Sequence, residues 1–252
     1  PQTSEPPPPA RIAFAAPPPP TDGRPRIAVI VSEIGLSRAR SRQAIDRLPG
    51  AVTLAVMAYV AERDEWVQAA RAANHEVLLA APMEPRDYPR FDPGPEPLLA
   101  DMDDLENLAR YDKVLHGARG VVGVLAHMGG RFLGDALRLR PILAATHDRG
   151  LIFVDNRSAP ENAVAKLAHS LDLHILQNDR FVDAEPSREA IVHRLAELEQ
   201  IAASRGYAVG LATPYPVTIE QIRIWAEGLK ERGFTLTPVS ALARIPTLAE
   251  TQ

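Results

Sequence analysis

Short apolar runs of strand length alternate with helical stretches about seven times between residues 26 and 239. Continuous apolar runs of this length are typical of strands buried on both faces of a sheet. Alternation at this spacing predicts parallel strands joined by crossover helices, and therefore an α/β fold. Seven or eight such units favour a closed or nearly closed (β/α) barrel, with an open doubly wound sheet as the alternative. The clearest runs are Ile27–Val31, Val52–Met57, Glu76–Ala81, Gly120–Ala126, Leu151–Val154 and Tyr207–Leu211.

Proline divides the chain into a spacer and a globular part. The first 25 residues contain ten of the 24 prolines, a composition that favours extended polyproline conformations and buries no core. We therefore predict a disordered or semi-rigid tether over residues 1–24, a barrel over residues 25–245 and a short tail over residues 246–252. The apolar residues Ile12–Phe14 inside the tether are expected to be incidental.

Composition excludes several classes of function. The net charge of −4 comes without a basic stripe, so nucleic-acid binding is not expected. The chain has no cysteine, which rules out disulfides, thiolate nucleophiles and Cys-based zinc sites. No apolar run approaches the 18 or so residues that cross a bilayer. Because the first residue is Pro1, we expect a processed product whose signal or anchor lay upstream, which makes a membrane tether plausible.

Polar side chains stand where the predicted strands end. In parallel α/β folds the carboxyl ends of the strands carry the chemistry, so these side chains are expected to share one pocket. Each of them alone is equally well explained as a cap or a solvated rim group. They are Ser32 and Glu33, Glu84, His127, Asp155 and Arg157, Asp183, and Thr213 with Tyr215. Asp155 and Arg157 are also candidates for an ion pair that braces the rim.

The central stretch Gly123–Phe132 shows this pattern most clearly, because an apolar strand ends there in His127, two glycines and Arg131. His75, in contrast, begins a strand and is expected at the opposite end of the barrel, in a stabilising role. Two helix starts are predicted from capping boxes, one at Ser158 with Glu161 and one at Thr218 with Gln221.

Five segments in this order make the sequence similar to the divergent polysaccharide deacetylases of bacterial envelopes, relatives of NodB-type carbohydrate esterases with a distorted (β/α) barrel. The resemblance covers roughly residues 26–243. The segments are Leu48–Ala55, His75–Leu79 with Pro82–Pro85, His127–Phe132, Asp155–Ser158 and Pro214–Pro216.

The resemblance implies metal-assisted hydrolysis of an N-acetyl group on a glycan. In such enzymes an Asp and two His hold a divalent ion, typically zinc, and a carboxylate is the general base. This chain departs from the family pattern: Ser32-Glu33 replaces Asp-Asp, Thr213 replaces the His before Pro-Tyr-Pro, and Ala80-Ala81 stands where a further His is common. Of the expected ligands His127 is retained, and Thr is a poor zinc ligand beside His.

Two functional hypotheses follow. In the first, the chain has lost metal-dependent catalysis, holds no tightly bound cofactor, and uses its cleft to bind glycan, peptidoglycan or an envelope protein. In the alternative, it is an active zinc-dependent N-deacetylase with a rearranged site around His127. Both imply a periplasmic or envelope location. The candidate residues are Glu33, Asp155 and Arg157 for catalysis, His127 and Glu33 for metal, and Glu84, Arg131, Asp183, Thr213 and Tyr215 for substrate.

Overall fold

Nine strands and eight helices alternate along the chain in a computed structural model that describes residues 7–19, 22–160 and 163–247. In chain order the strands are β1 Arg26–Ile34, β2 Thr53–Met57, β3 Val77–Met83, β4 Gly123–Met128, β5 Ile152–Asp155, β6 Ile175–Gln177, β7 Arg180–Phe181, β8 Tyr207–Ala212 and β9 Thr235–Leu236. The helices are α1 Ala10–Ala13, α2 Arg38–Arg47, α3 Arg63–Ala72, α4 Asp104–Leu115, α5 Ala136–Asp148, α6 Val164–Ser170, α7 Arg188–Arg205 and α8 Pro216–Glu227. Among these, no helix is both long enough and apolar enough to cross a membrane.

All strand pairs in the sheet are parallel, in the spatial order β6-β5-β4-β3-β2-β1-β8-β7, and β9 pairs with the start of β1. Because parallel strands need crossovers, a helix or a long loop joins most consecutive strands. This arrangement confirms the predicted α/β class and the distorted barrel. The strand boundaries agree with the apolar runs to within a few residues.

The barrel has a seam where β6 and β7 follow each other in sequence. In the described part of the chain these two strands do not pair, and residues 178–179 cross from the β5 side to the β8 side. The amide of Asn178 donates to the carbonyl of Asp155, and the amide of Asp179 donates to that of Val209. The C-terminal segment covers part of the gap, because Arg244 and Ile175 exchange backbone hydrogen bonds of 3.1 and 2.9 Å.

Alternate strand residues build two separate apolar layers. One set, including Ala28, Ile30, Met57 and Leu125, fills the inside of the barrel. The other set, including Val29, packs beneath the helices. Strand residues point alternately to opposite faces, so burial on both sides produces the unbroken apolar runs seen in the sequence.

The Pro-rich segment differs from the predicted tether in its described residues 7–19, which lie against the barrel. The amide of Arg11 donates to the carbonyl of Gly150 at 2.9 Å, and the amide of Ala16 donates to buried Glu76 at 2.8 Å. Phe14 packs on the inner apolar layer. Residues 1–6 and 20–21 lie outside the described residues. The apolar island was therefore not incidental, because Phe14 packs on the core while backbone hydrogen bonds hold the residues on either side of it.

Both capping predictions differ from the structure. Helix α8 begins at Pro216, so Thr218 lies inside its first turn and donates its hydroxyl to Asp183 at 3.0 Å. Helix α6 begins at Val164, and Ser158 donates its hydroxyl to the carbonyl of Met128; Glu161 lies outside the described residues. A capping hydroxyl and a hydroxyl that bonds across the fold look alike in sequence.

His75 stands at the amino end of β3, as predicted. Its side chain is fully buried, and its ring nitrogens lie 2.8 Å from the carbonyl oxygen of Val52 and 3.2 Å from that of Ile45. It therefore ties the start of β3 to two neighbouring segments at the end of the barrel opposite the polar strand ends.

Candidate functional site

The carboxyl ends of the strands form the mouth of the barrel, and the backbone turns sharply there. Glu33, Met128 and Arg157 close β1, β4 and β5 with φ angles of 58°, 59° and 57°. A left-handed backbone costs a non-glycine residue about 1–2 kcal/mol. Such residues cluster at functional sites, where the surrounding structure holds them in place. These three are half of the six non-glycine residues with positive φ in the described part of the chain.

An acidic group lies on the β1 and β8 side of the mouth. Buried Asp183 accepts hydrogen bonds from the Thr213 amide at 2.8 Å and from the Thr218 hydroxyl at 3.0 Å. Burial nevertheless raises the pKa of Asp183. Burial, and then the negative charge of Asp183, raise the pKa of Glu33, while Arg40 partly opposes this shift. Asp183 therefore lies close enough to Glu33 for its negative charge to disfavour ionisation of Glu33.

Tyr59 lines the same part of the mouth. Burial raises the pKa of its phenol, and the charge of Glu33 adds to the shift. The long loop over residues 84–103 reaches it, because Gly94 approaches the Tyr59 ring so closely that a Cβ would lie 2.4 Å from it. The same loop exposes the aromatic side chains of Tyr88 and Phe91. The loop thus covers Tyr59 and carries aromatic faces to solvent.

His127 ends β4 beside Pro82 of β3. Burial lowers the pKa of its imidazole to about 4. Within the described residues neither ring nitrogen has a hydrogen-bond partner. At neutral pH the ring is uncharged, so it offers one donor and one acceptor to whatever enters the mouth. Both ring nitrogens of His127 are therefore left for a ligand.

Two further predicted residues hold the rim together. Glu84 is buried, ion-paired with Arg131 through one carboxylate oxygen, and accepts the Ala100 amide at 2.7 Å on the other. Arg131 also binds both carboxylate oxygens of Asp101 at 2.7 Å. With their bonding capacity used in this way, Glu84 and Arg131 brace the loop after β3; their predicted contact with substrate stays a prediction.

The end of β5 also differs in detail from the expectation. Asp155 is fully buried and accepts the backbone amide of Arg157 at 2.8 Å and the Gln177 side chain at 3.0 Å. The recorded contact between Asp155 and Arg157 is thus a backbone turn, where an ion pair was expected. The Arg157 side chain reaches the seam between β6 and β8. Its predicted catalytic role, like that of Asp155, stays a prediction.

Tyr215 and Thr213 lie beside the acidic group. Tyr215 directly precedes α8, and the guanidinium of Arg40 stands 5.3 Å from its ring centroid. The sequence analysis missed Arg40, Tyr59 and Asn178, a buried amide whose side-chain oxygen has no partner in the described residues. Tyr59 and Asn178 lie in loops, and Arg40 lies on an exposed helix face, so no local pattern distinguishes them.

Comparison with known proteins agrees with this architecture. A sequence model described as divergent polysaccharide deacetylase matches residues 29–243. The chain belongs to this family. An uncharacterized protein from Agrobacterium tumefaciens C58, ATU2773, is 33% identical and has a TM-score of 0.89 over 92% of this chain and 94% of its own.

Two more distant solved structures share the fold of the divergent polysaccharide deacetylase family. The catalytic domain of peptidoglycan N-acetylglucosamine deacetylase from Eubacterium rectale ATCC 33656 is 11% identical, with a TM-score of 0.53 over 90% of this chain and 94% of its own. A mutant of BA3943, a CE4 family pseudoenzyme with restored enzymatic activity, is 15% identical, with a TM-score of 0.53 over 87% of this chain and 67% of its own.

Metal dependence is typical of such deacetylases, but the donor atoms at this mouth do not fit a zinc ion. In the described part of the chain no three His, Asp or Glu side chains converge as a metal site requires. Ser32 is buried with a hydroxyl that has no partner in that part, and the Thr213 hydroxyl donates to Asp183 at 3.5 Å. Catalytic zinc needs three good ligands and an open position. Neutral hydroxyls in place of a carboxylate and an imidazole leave only Glu33 and His127 of the predicted ligands, one fewer than a catalytic zinc needs.

Proposed function

We propose that the chain is a glycan-binding member of the divergent polysaccharide deacetylase family that has lost zinc-dependent hydrolysis. Its mouth would bind an N-acetylated glycan, such as peptidoglycan, in the periplasm or cell envelope. The observation that carries this proposal is the replacement of two expected ligands by hydroxyl residues, Ser32 and Thr213, on adjacent strands. The polar and aromatic lining of the mouth remains.

The register of β1 and β8 places the two replaced positions next to each other. Strands β1 and β8 are paired with Val31 opposite Ala212, so Ser32 and Thr213 follow at neighbouring positions. The amide of Thr213 donates to Asp183, whose carboxylate is thereby committed to the fold. The remaining candidates are Glu33 and His127, and two ligands do not hold zinc as a catalytic site does.

The remaining groups suit an uncharged sugar. Neutral His127 offers a donor and an acceptor, Glu33 is a strong acceptor, and Tyr59 presents a ring together with a hydroxyl. Aromatic faces next to hydrogen-bonding groups are the usual lining of small-molecule sites. Deacetylases with this fold, including the Eubacterium rectale enzyme, are named for peptidoglycan N-acetylglucosamine, and that glycan class is the first to test.

The test measures binding and hydrolysis separately. Calorimetry with N-acetylglucosamine oligomers and with soluble peptidoglycan fragments is expected to show saturable binding that His127→Ala weakens by about tenfold or more, because two hydrogen bonds are lost. Acetate release is expected to be absent with zinc, cobalt or nickel. Elemental analysis of purified protein is expected to find zinc far below one equivalent.

The alternative, an active deacetylase with a rearranged site around His127, predicts opposite results. Stoichiometric zinc that His127→Ala removes, together with metal-dependent acetate release, would establish that alternative and overturn the proposal. A further experiment restores the residues that the family pattern has at these positions. Ser32→Asp combined with Thr213→His should raise the affinity for zinc markedly. The matched control is Ser32→Asn with Thr213→His, which has a similar shape but lacks the carboxylate. Equal zinc binding by both variants would show that Ser32 does not occupy the ligand position.

A further inference from the structure

A cavity of about 240 Å³ lies at the barrel seam, where β6 and β8 do not meet. Three arginines line it, Arg157 from the turn after β5, Arg205 from the end of α7, and Arg244 from the C-terminal segment. Tyr207 and Gln177 add polar atoms, and no carboxylate belongs to the lining in the described part of the chain. This concentration of positive charge stands out in a protein whose net charge is −4.

Two of the arginines are held around one ring. The Arg205 guanidinium stacks 4.0 Å from the centroid of Tyr207, donates to the backbone carbonyl of Tyr207, and pairs with buried Asp179 at 2.5 Å. Arg244 donates to the Tyr207 hydroxyl at 3.2 Å and lies 5.8 Å from the same ring centroid. Stacking on an aromatic face and anchoring by a carboxylate fix the direction of the Arg205 guanidinium.

The third arginine is positioned by strained backbone. Arg157 has a φ of 57°, and this turn is held by the hydrogen bond from its amide to fully buried Asp155. Within the described residues the Arg157 guanidinium has no ion-pair or hydrogen-bond partner. This left-handed turn, which costs about 1–2 kcal/mol, places Arg157 in the lining of the cavity.

We propose that this seam cavity binds an oxyanion, a carboxylate or phosphate group, through Arg157, Arg205 and Arg244. Guanidinium groups bind such anions by paired, charge-assisted hydrogen bonds. Asp179 neutralises Arg205, whereas Arg157 has no ion-pair partner among the described residues, so an anionic ligand would supply the counter-charge of Arg157. The cavity is smaller than the roughly 300 Å³ at which pockets for drug-sized ligands begin, so it fits one anionic group of a ligand. The site shares Arg157 with the rim of the mouth but does not depend on the glycan proposal.

The test titrates the protein with sodium phosphate and, separately, with sodium glucuronate, at fixed ionic strength balanced with chloride. The readouts are calorimetry and the NMR signals of the arginine Nε–H groups. We expect saturable binding of at least one probe, with shifts confined to the three seam arginines. Preference for phosphate or for glucuronate identifies the source of the oxyanion. Arg157→Gln is expected to weaken binding about tenfold or more, the usual effect of removing a charged hydrogen-bond donor.

Arg119→Gln is the matched control, because it removes the same charge from an exposed position away from the cavity. It is expected to leave the affinity unchanged. Tyr207→Phe removes the hydroxyl that bonds Arg244 and is expected to weaken binding less than Arg157→Gln does. Absence of saturable binding by both probes would overturn the proposal. Equal weakening by Arg119→Gln and Arg157→Gln would also overturn it, since the attraction would then be diffuse.

Discussion

Replacement of His127 by glutamine tests whether the central histidine is buried and neutral. Glutamine has a similar reach and keeps a donor and an acceptor, but it does not titrate. Burial lowers the pKa of folded His127 from an ordinary 6.5 to about 4. The folded state therefore binds fewer protons than the unfolded state between these values. By linkage, the stability contributed by the neutral ring is complete above pH 6.5 and is lost as the pH falls towards 4.

The magnitude follows from the size of the shift. One pKa unit corresponds to about 1.4 kcal/mol, so a shift from 6.5 to about 4 makes His127 cost up to about 3 kcal/mol once both states are protonated. At about pH 5, where only the unfolded state is largely protonated, the cost is about 2 kcal/mol. The raised pKa values of Glu33 and Asp183 act in the opposite direction. Comparison of wild type with His127→Gln largely cancels their effects.

The assay is urea unfolding of both proteins at a series of pH values, joined to an NMR titration of the imidazole. Relative to His127→Gln, the wild type should lose about 2 kcal/mol of unfolding free energy between about pH 7.5 and pH 5. His116→Gln, at an exposed position after α4, is the matched control for the replacement of a histidine by glutamine. The reasoning would be refuted if the difference in unfolding free energy between wild type and His127→Gln did not change with pH, or if the His127 ring titrated near 6.5.

Three further substitutions probe the mouth and the N-terminal segment. Glu33→Gln should raise the unfolding free energy at about pH 7.5, because the pKa of Glu33 is raised in the folded state and its stability contribution is lost as the pH rises. The gain in unfolding free energy over wild type should vanish below about pH 4. A gain that is the same at every pH would contradict this prediction. Gly94→Ala should cost about 1–3 kcal/mol by forcing a methyl group against the Tyr59 ring at a φ of 118°, and unchanged stability in urea unfolding would show that the loop yields freely. Phe14→Ala should lower the unfolding free energy by about 1–2 kcal/mol in thermal unfolding, because Phe14 packs on the inner apolar layer. Ile12→Ala on the same segment should cost little, because Ile12 is 59% exposed. Equal losses for the two variants would show that Phe14 does not pack on the barrel.

Much of the fold could be predicted from sequence because its signal is local. A parallel strand buried on both faces must be apolar throughout, and runs such as Ile27–Val31 show this without knowledge of their neighbours. The ends of these runs give the carboxyl ends of the strands, which form the mouth of the barrel and include His127. Asp183 was predicted there for the same reason, and it lies within hydrogen-bond distance of Thr213.

The details that failed depend on register and on distant contacts. Arg157 follows β5 in sequence, but the stagger of the strands brings it beside Tyr207, at the beginning of β8, so the seam cavity has no local signature. Thr218 resembles a cap until α8 is placed next to Asp183. The Pro-rich segment resembles a free tether because one docked ring, Phe14, contributes little to any average over composition.

The replacement at Ser32 has a physical explanation that makes one more prediction. Its side chain is buried, and the carboxylates of Glu33 and Asp183 lie on the same side of the mouth. A third carboxylate is tolerable there only beside a cation, since an unpaired buried charge costs several kcal/mol. Ser32→Asp without metal should therefore destabilise the protein at neutral pH, and the loss should shrink as acid protonates the new carboxyl group. Ser32→Asn adds almost the same volume without charge and should cost less. If urea unfolding gives equal losses for both variants at every pH, steric crowding explains the cost, and the hydroxyl cannot be understood as the neutral substitute for a metal ligand.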